Sequence, residues 1–300
     1  ITISDDHRWL YLGDKDGQVH FYNTTTFQEA QTVRVSEQAI TSMSMLLGGI
    51  SVLAGDAGGS ITQLFAVRDE DNQYNLKIVR RFEGQGAAIN EIVPEKRRKG
   101  FLAIDADANM MIYHSTAGEM VLKEKLPGLP SALALAPRAS GLLILYRDGH
   151  AAFMDIDNEH PEVSFASLWS KVWYENYAEP EYVWQSSASS NDFEPKFSLT
   201  PLAFGTLKAA LYAMLFALPL ALLGAAYTAY FMSPALRRLV KPTIEIMAAL
   251  PTVILGFLAG LWFAPFLEEN LAGVFSMLLV LPAGLLLFAW FWTRASWRVK

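Results

Sequence analysis

The sequence predicts two parts of different class: an all-β repeat domain over residues 1–162 and an all-α transmembrane domain over residues 201–300, with an aromatic segment at 163–200 between them. Three observations predict it. Three uncharged runs occupy the C-terminal third, from Ala209 to Leu236, Ile246 to Leu267 and Leu271 to Thr293. A strand–turn–strand pattern recurs four times before residue 160. Charge also divides the chain, since residues 1–197 carry 17 Lys and Arg against 27 Asp and Glu, and residues 198–300 carry 7 against 3.

The repeats come first in the chain. Leu10–Tyr22, Val52–Leu64, Phe101–Tyr113 and Leu142–Met154 can be laid over one another as an apolar strand, a tight turn and a second strand. The turn pairs are Asp16-Gly17, Gly58-Gly59, Asp107-Ala108 and Asp148-Gly149. Asp-Gly and Gly-Gly suit two-residue type I′ hairpins, whose central residues both need positive φ; Asp107-Ala108 fits that turn less well. A further strand precedes each of the later hairpins, at Ile40–Met45, Ile89–Val93 and Ser131–Leu135. The spacing lies in the range of four-stranded propeller blades. The domain therefore resembles a WD40-like β-propeller of about four blades, although the Trp-Asp and Gly-His signatures are missing. Blades must close into a ring to remove sheet edges, so further blades are expected outside this stretch. A β-sandwich is the competing fold.

Few residues in this domain suggest chemistry. Asp14-Lys-Asp-Gly17 looks like half a calcium loop, but its glycine falls one place early and no bidentate Glu follows; a hairpin turn is the better reading. His7, His20, His114, His150 and His160 show no H-x-x-x-H pairing that would put two metal ligands on one face. Glu95–Lys99 reads as a solvated hairpin loop, and the acidic balance excludes nucleic acid as a partner. No nucleophile–base constellation, cofactor motif or metal set is present, and the chain reads as a non-enzyme. The sequence contains no cysteine, hence no disulfide framework.

In the joining segment, Phe165, Leu168, Trp169, Val172, Trp173 and Tyr177 fall on one stripe of an amphipathic helix. Trp and Tyr favour the membrane–water interface, so the segment is expected to lie on the outer leaflet or against the spans. A helix docked on the repeat domain is the alternative. Ser186–Asn191 reads as a flexible connector. Thr200 and Pro201 are suited to the start of a helix.

Each uncharged run exceeds the roughly 20 residues that carry a helix across about 30 Å of hydrocarbon, and three in succession argue against buried helices of a soluble core. The expected spans are about 202–232, 243–264 and 271–292, with the lipid bilayer as partner. Arg237, Arg238 and Lys241 form the connection after the first span, and Arg294, Arg298 and Lys300 follow the third; the connection at 265–270 is acidic. The positive-inside rule puts the basic loop in the cytoplasm and residues 1–200 outside, in the periplasm of a bacterium. An exported domain without initiator Met or signal peptide leads us to expect sequence upstream.

The spans look built for more than anchoring. Ala213, Ala217, Ala221 and Ala225 recur every four residues beside Gly224, and Gly256 and Gly260 form a G-x-x-x-G pattern; small residues let helix backbones approach closely in lipid. Pro219, Pro251 and Pro282 each remove a backbone donor, as occurs where helices line a pathway or pivot. Packing alone also accounts for them. Glu245 is either a contact for a partner or solute, or an interfacial pair with Lys241.

Phe204-Gly205-Thr206-Leu207, Ala217–Leu220, Leu236–Pro242 and Ile244–Thr252, with Glu245, Pro251 and Thr252 at their pattern positions, resemble the membrane subunit of bacterial ABC importers, specifically the phosphate (Pst-type) permease. The resemblance covers about 100 residues and implies part of a MetI-like ABC permease core. It further implies a second permease subunit, cytoplasmic ATP-binding subunits and a periplasmic solute-binding protein as partners, and the bacterial inner membrane as location. Compact members lack a propeller; the chain is similar to enlarged variants with an insertion between their first two helices. The third span departs from the family pattern, and the segments that bear solute specificity and dock the ATPase are expected beyond Lys300. The reading is a permease subunit for inorganic phosphate; a permease for another solute and a membrane-tethered propeller acting as sensor or scaffold are the alternatives.

Overall fold

A computed structural model describes residues 1–69, 71–84, 86–158, 160–187 and 194–294. The chain forms two compact units, Ile1–Tyr212 and Ala213–Lys300. The first contains four consecutive antiparallel meanders. Strands β1 to β4 (Thr2–Ile3, Trp9–Gly13, Gln18–Asn23, Gln28–Arg34) form one sheet in chain order. The second sheet is β5 to β8 (Ile40–Met45, Ser51–Asp56, Ile61–Arg68, Tyr74–Phe82). The third is β9 to β12 (Ile89–Pro94, Gly100–Asp105, Asn109–His114, Glu119–Lys125), and the fourth has three strands, β13 to β15 (Pro130–Leu135, Gly141–Tyr146, Ala151–Asp155). Single meanders packed in series are the architecture of propeller blades, not the two facing sheets of a sandwich.

The core lies between successive sheets. Tyr11, Phe21, Val52 and Leu64 join the first to the second; Leu53, Ile89, Phe101 and Tyr113 join the second to the third. Leu102, Met110, Leu142 and Ile144 join the third to the fourth. Repeated glycines allow the close approach: a Cβ at Gly13 would sit 2.4 Å from Ile40 Cγ2, and one at Gly55 would sit 2.7 Å from Ile89 Cγ2. Thr41 Oγ1 also donates to Ile89 O at 2.6 Å, tying β5 to β9.

The hairpin turns differ from the two-residue type expected. In three of them an aspartate, at the end of the first strand or just after it, opens the turn, and its Oδ1 accepts two backbone N–H groups. Asp14 takes those of Asp16 and Gln18 at 2.9 and 2.8 Å, Asp56 those of Gly58 and Ser60 at 2.9 and 2.8 Å, and Asp105 those of Asp107 and Asn109 at 3.0 and 2.8 Å. This carboxylate replaces a backbone partner, so only the last residue needs positive φ: 75° at Gly17 and 61° at Ala108. Ala108 is thus accommodated where a type I′ turn would disfavour it. Tyr146 takes the aspartate's place in the fourth sheet, and there Asp148 accepts the His150 N–H instead.

The joining segment departs further from expectation. Helix α1 covers only Phe165–Trp169, capped by Ser164, whose Oγ accepts the Ser167 N–H at 3.1 Å. Ser170 then turns extended, and Val172 exchanges two backbone hydrogen bonds with Glu181, each 3.1 Å. A short pair, β16 (Trp184–Gln185) and β17 (Lys196–Phe197), follows. The stripe therefore splits: Val172 is buried and Leu168, Trp173 and Tyr177 are half-buried, whereas Phe165 and Trp169 remain exposed. Of the Ser186–Asn191 connector, residues 188–191 lie outside the described residues, as do the basic Arg298 and Lys300.

Helix α2 (Thr200–Ala226) continues as a π-helical turn to Phe231. Next come α3 (Pro234–Ala248), α4 (Thr252–Leu258), a second π turn at Ala259–Phe263, α5 (Ala264–Glu269) and α6 (Leu271–Arg294). Among the described residues three stretches are long and apolar enough to cross a membrane: Thr200–Phe231, Thr252–Glu269 and Leu271–Arg294. The second begins nine residues later than the expected 243, because α3 is a separate charged helix.

Candidate functional site: a buried charge lattice and a helical groove

Two places gather polar groups among apolar ones, one in each unit. In the first unit the joining segment is fastened to the second and third sheets. Lys99, expected in a solvated loop, is only 2% exposed; its Nζ donates to Glu175 Oε2 and to Leu47 O, each at 2.5 Å. The Glu95–Lys99 run alternates: Glu95 and Lys99 turn inward, while Lys96 and Arg97 face solvent. Glu95 is held by Arg98 Nε at 2.8 Å, and Arg98 Nη1 reaches Asn158 O at 2.5 Å.

From Glu175 the lattice spreads through both sheets. Ser51 Oγ donates to Glu175 Oε1 at 2.6 Å and accepts Gln63 Nε2 at 2.9 Å. Gln63 Oε1 accepts both Ser115 Oγ, at 2.9 Å, and Arg80 Nη1, at 3.0 Å. Arg80 Nη2 donates to the Trp173 carbonyl at 2.5 Å, and the Trp173 ring meets Phe65 edge-on at 5.9 Å. Glu194 accepts the Glu175 N–H at 3.0 Å and the Thr116 hydroxyl.

Burial dominates the electrostatics. Loss of water pushes the Glu175 carboxyl above its usual range, against the pull of Lys99. The same cause, aided by Arg98 and Arg80, pulls His114 down to about 3, and its Nδ1 accepts the Ala117 N–H at 3.3 Å. His114 is therefore a neutral acceptor at physiological pH. In the first sheet the order reverses: the half-buried His20 rises through hydrogen bonds to Glu29 and Asp14. None of this lattice was expected from sequence. Lys99 and Glu175 lie 76 positions apart, and no local pattern links them.

The second unit contains a groove of about 680 Å³ lined by Ala221, Gly224 and Ala225 on α2, by Ala229 in the π turn that follows it, and by Arg237, Lys241 and Glu245 on α3. The basic connection is thus a helix and not a loop. Ser233 caps it, its Oγ accepting the Leu236 N–H at 3.4 Å, and Pro234 opens its first turn. Those two residues are a helix-start signal that was legible. Arg237 folds back, donating through Nη2 to Ala229 O at 2.7 Å and Met232 O at 3.4 Å, where a cation meets the exposed carbonyls of a helix end. Its Nε is buried without a partner. Lys241 and Glu245 share the groove wall, but no ion pair joins them among the described residues. Arg238 does not line the groove; with Pro234, Arg237, Lys241 and Pro242 it borders a second recess.

The remaining positions do not converge on this groove. Gly205 and Thr206 lie in the first turns of α2, with Thr206 Oγ1 bonded to Ala203 O at 2.9 Å. Ala213, Ala217 and Pro219 are also in α2 but do not line the groove. Pro251 caps α4 and Thr252 begins it. Gly256 is in α4 and Gly260 in the π turn, and a Cβ at either would meet nothing within 4 Å. Their G-x-x-x-G face makes no close helix contact among the described residues.

No family model matches the chain. In fold comparisons it is similar to the β-propeller domain of Myceliophteria thermophila Cps50 (Swd1), at 13% identity and a TM-score of 0.46, covering 52% of this chain and 53% of that one. A second likeness is to the computationally designed Ika4 protein, at 14% identity and a TM-score of 0.41, covering 50% and 86%. The propeller assignment rests on the sheet topology and not on these likenesses. By sequence, the chain is 25% identical over 89 residues to the probable ABC transporter permease protein YqgH of Bacillus subtilis (strain 168), a stretch that is 30% of this chain and 29% of that protein.

Proposed function

We propose that this chain is a permease subunit of an ABC importer, moving inorganic phosphate across the bacterial inner membrane. The observation that carries the reading is the 89-residue similarity to an ABC transporter permease in a chain with three membrane-length apolar helices. Phosphate comes from the resemblance at Phe204–Leu207, Leu236–Pro242 and Ile244–Thr252. In this reading residues 1–200 face the periplasm and α3 the cytoplasm. A solute-binding protein delivers phosphate, ATP-binding subunits supply energy, and a second permease subunit packs on the spans. The open faces over Gly256 and Gly260 are suited to such packing.

The full-length protein, purified from its host, should bring ATP-binding subunits with it, and vesicles containing the assembly should take up radiolabelled phosphate but not sulfate or molybdate. Uptake of a different anion keeps the permease and replaces the solute. Absence of any ATP-binding partner favours a membrane-tethered sensor or scaffold. The sequence has no cysteine, so single introduced cysteines report topology. Thr26→Cys should react with an impermeant maleimide on spheroplasts, and Arg238→Cys only after permeabilisation; the opposite pattern inverts the assignment.

A further inference from the structure

We propose that Phe165 and Trp169 of α1, together with Trp184 of β16, are seated in the lipid bilayer interface beside the first turn of α2, and so hold the β-domain at the membrane surface. The proposal rests on α2 crossing a membrane and is independent of solute and partner subunits. Three observations carry it.

Exposure singles these side chains out. Phe165 is 80% exposed, and Trp169 and Trp184 are 44% and 43% exposed. Other aromatics of the same segment turn inward and are satisfied there: Tyr174 is buried, and the half-buried Trp173 donates its indole N–H to Tyr177 O at 2.9 Å. Among the described residues no protein group accepts the indole N–H of Trp169 or Trp184. A large apolar ring with a free N–H on its rim suits the headgroup level, where one end of the side chain is dry and the other wet.

Hydrogen bonds fix where the rings lie. The Leu199 N–H donates to Leu168 O at 2.8 Å, and Thr200 Oγ1 donates to Trp169 O at 3.4 Å. The end of α1 is therefore bonded to the residue at which α2 begins. Trp184 pairs across β17 with Phe197, their rings 5.9 Å apart, only two positions before Leu199.

The length of the helix names the occupant. Thr200–Phe231 has 32 residues, about 48 Å at 1.5 Å per residue. A hydrocarbon core measures about 30 Å and a whole bilayer about 40–45 Å. The helix thus reaches from one headgroup layer to the other, which puts Thr200, and the rings bonded beside it, among headgroups. Leu202, Phe204 and Leu207 are exposed on the next turns of α2, so apolar surface is presented on both sides of this junction. The segment's inward groups are fastened to the sheets by the Glu175–Lys99 pair and by Arg80 on the Trp173 carbonyl. The β-domain therefore meets the bilayer through a seat that is bonded on both sides.

The absence of cysteine lets single introduced cysteines carry an environment-sensitive fluorophore. Phe165→Cys and Trp169→Cys are compared with Phe27→Cys, an 86% exposed control in the first sheet's last turn, and with Leu220→Cys midway along α2. The full chain is reconstituted in phosphatidylcholine nanodiscs whose lipids carry a nitroxide either near the headgroup or at mid-chain. The headgroup-level nitroxide should quench the labels of Phe165→Cys and Trp169→Cys roughly threefold more than that of Phe27→Cys. The mid-chain nitroxide should quench Leu220→Cys most. If Leu220→Cys is quenched while Phe165→Cys and Trp169→Cys behave like Phe27→Cys, α2 is inserted, the rings are not, and the proposal is overturned. Blue-shifted emission from Phe165→Cys without lipid quenching means that protein covers the rings, and overturns it equally. An unquenched Leu220→Cys overturns the membrane reading of α2 and the proposal with it.

Discussion

Lys99 Nζ lies 2.5 Å from Glu175 Oε2, and neither side chain is more than 6% exposed. The pair bridges the third sheet and the joining segment, and the partners that complete it, Ser51 and the Leu47 carbonyl, belong to strand β6 of the second sheet and to its β5–β6 turn. One ion pair thus ties together the second sheet, the third sheet and the joining segment.

Removing one partner leaves the other buried and charged, which costs about 3–5 kcal/mol. Glu175→Gln should therefore destabilise the domain by that amount in chemical unfolding of the purified chain. Replacing both partners, Lys99→Met with Glu175→Leu, should recover most of the loss, since apolar substitutes for a buried pair are often neutral. A double variant as unstable as the single would mean that the pair contributes through the wider lattice.

The turn aspartates differ by sheet, and stability should differ with them. Asp105 is fully buried and accepts from the Asp107 and Asn109 backbones and from Asn109 Nδ2 at 2.6 Å. Asp105→Ala strands these donors, each worth about 1–3 kcal/mol when unsatisfied, and should cost roughly 3 kcal/mol or more. Asp148→Ala, at the exposed turn that lacks the first aspartate, should cost about 1 kcal/mol or less. Differential unfolding of the two variants checks the order.

Much of the β-domain was legible because its signals are local. Alternating apolar residues and turn chemistry repeat within about 13 positions, so each hairpin can be found without knowing what it packs against. The turn type was not legible from Asp16-Gly17 alone, because the decisive residue, Asp14, acts through its side chain. The lattice was hidden for a different reason. Lys96 and Lys99 look alike in sequence, and only a carboxylate 76 positions later makes one buried and the other solvated. In the helical part, length and apolarity locate the spans, but Arg237, Arg238 and Lys241 read as a connection and not as part of a helix, despite Ser233 and Pro234 at its start. Its charges recur at 237, 241 and 245, a helical spacing that marks a face.

His114 should make stability sensitive to mild acid. Its pKa is pulled from 6.5 to about 3 on folding, chiefly by burial. Between those values the unfolded chain binds a proton that the folded chain refuses, so stability is full above pH 6.5 and falls as pH drops towards 3. The slope reaches at most about 1.4 kcal/mol per pH unit. Thermal unfolding of wild type against His114→Gln isolates this contribution: the difference between them should change from pH 7 to pH 5, with wild type losing more. Parallel curves would show that His114 takes its proton without unfolding.

Arg237 and Arg238 are neighbours with the same charge and opposite roles. Arg237 is half-buried and clamps the Ala229 and Met232 carbonyls, whereas Arg238 is exposed. Both contribute equally to a positive-inside bias, so Arg237→Ala and Arg238→Ala should shift topology labelling equally. Only the first should loosen the end of α2, since a hydrogen bond from a charged donor contributes about 1.5–3 kcal/mol. In detergent, Arg237→Ala should therefore lower the thermal midpoint by several degrees while Arg238→Ala leaves it within a degree. Equal losses from the two variants would mean that charge alone acts here, and that the fold-back onto α2 contributes nothing to holding α2 and α3 together.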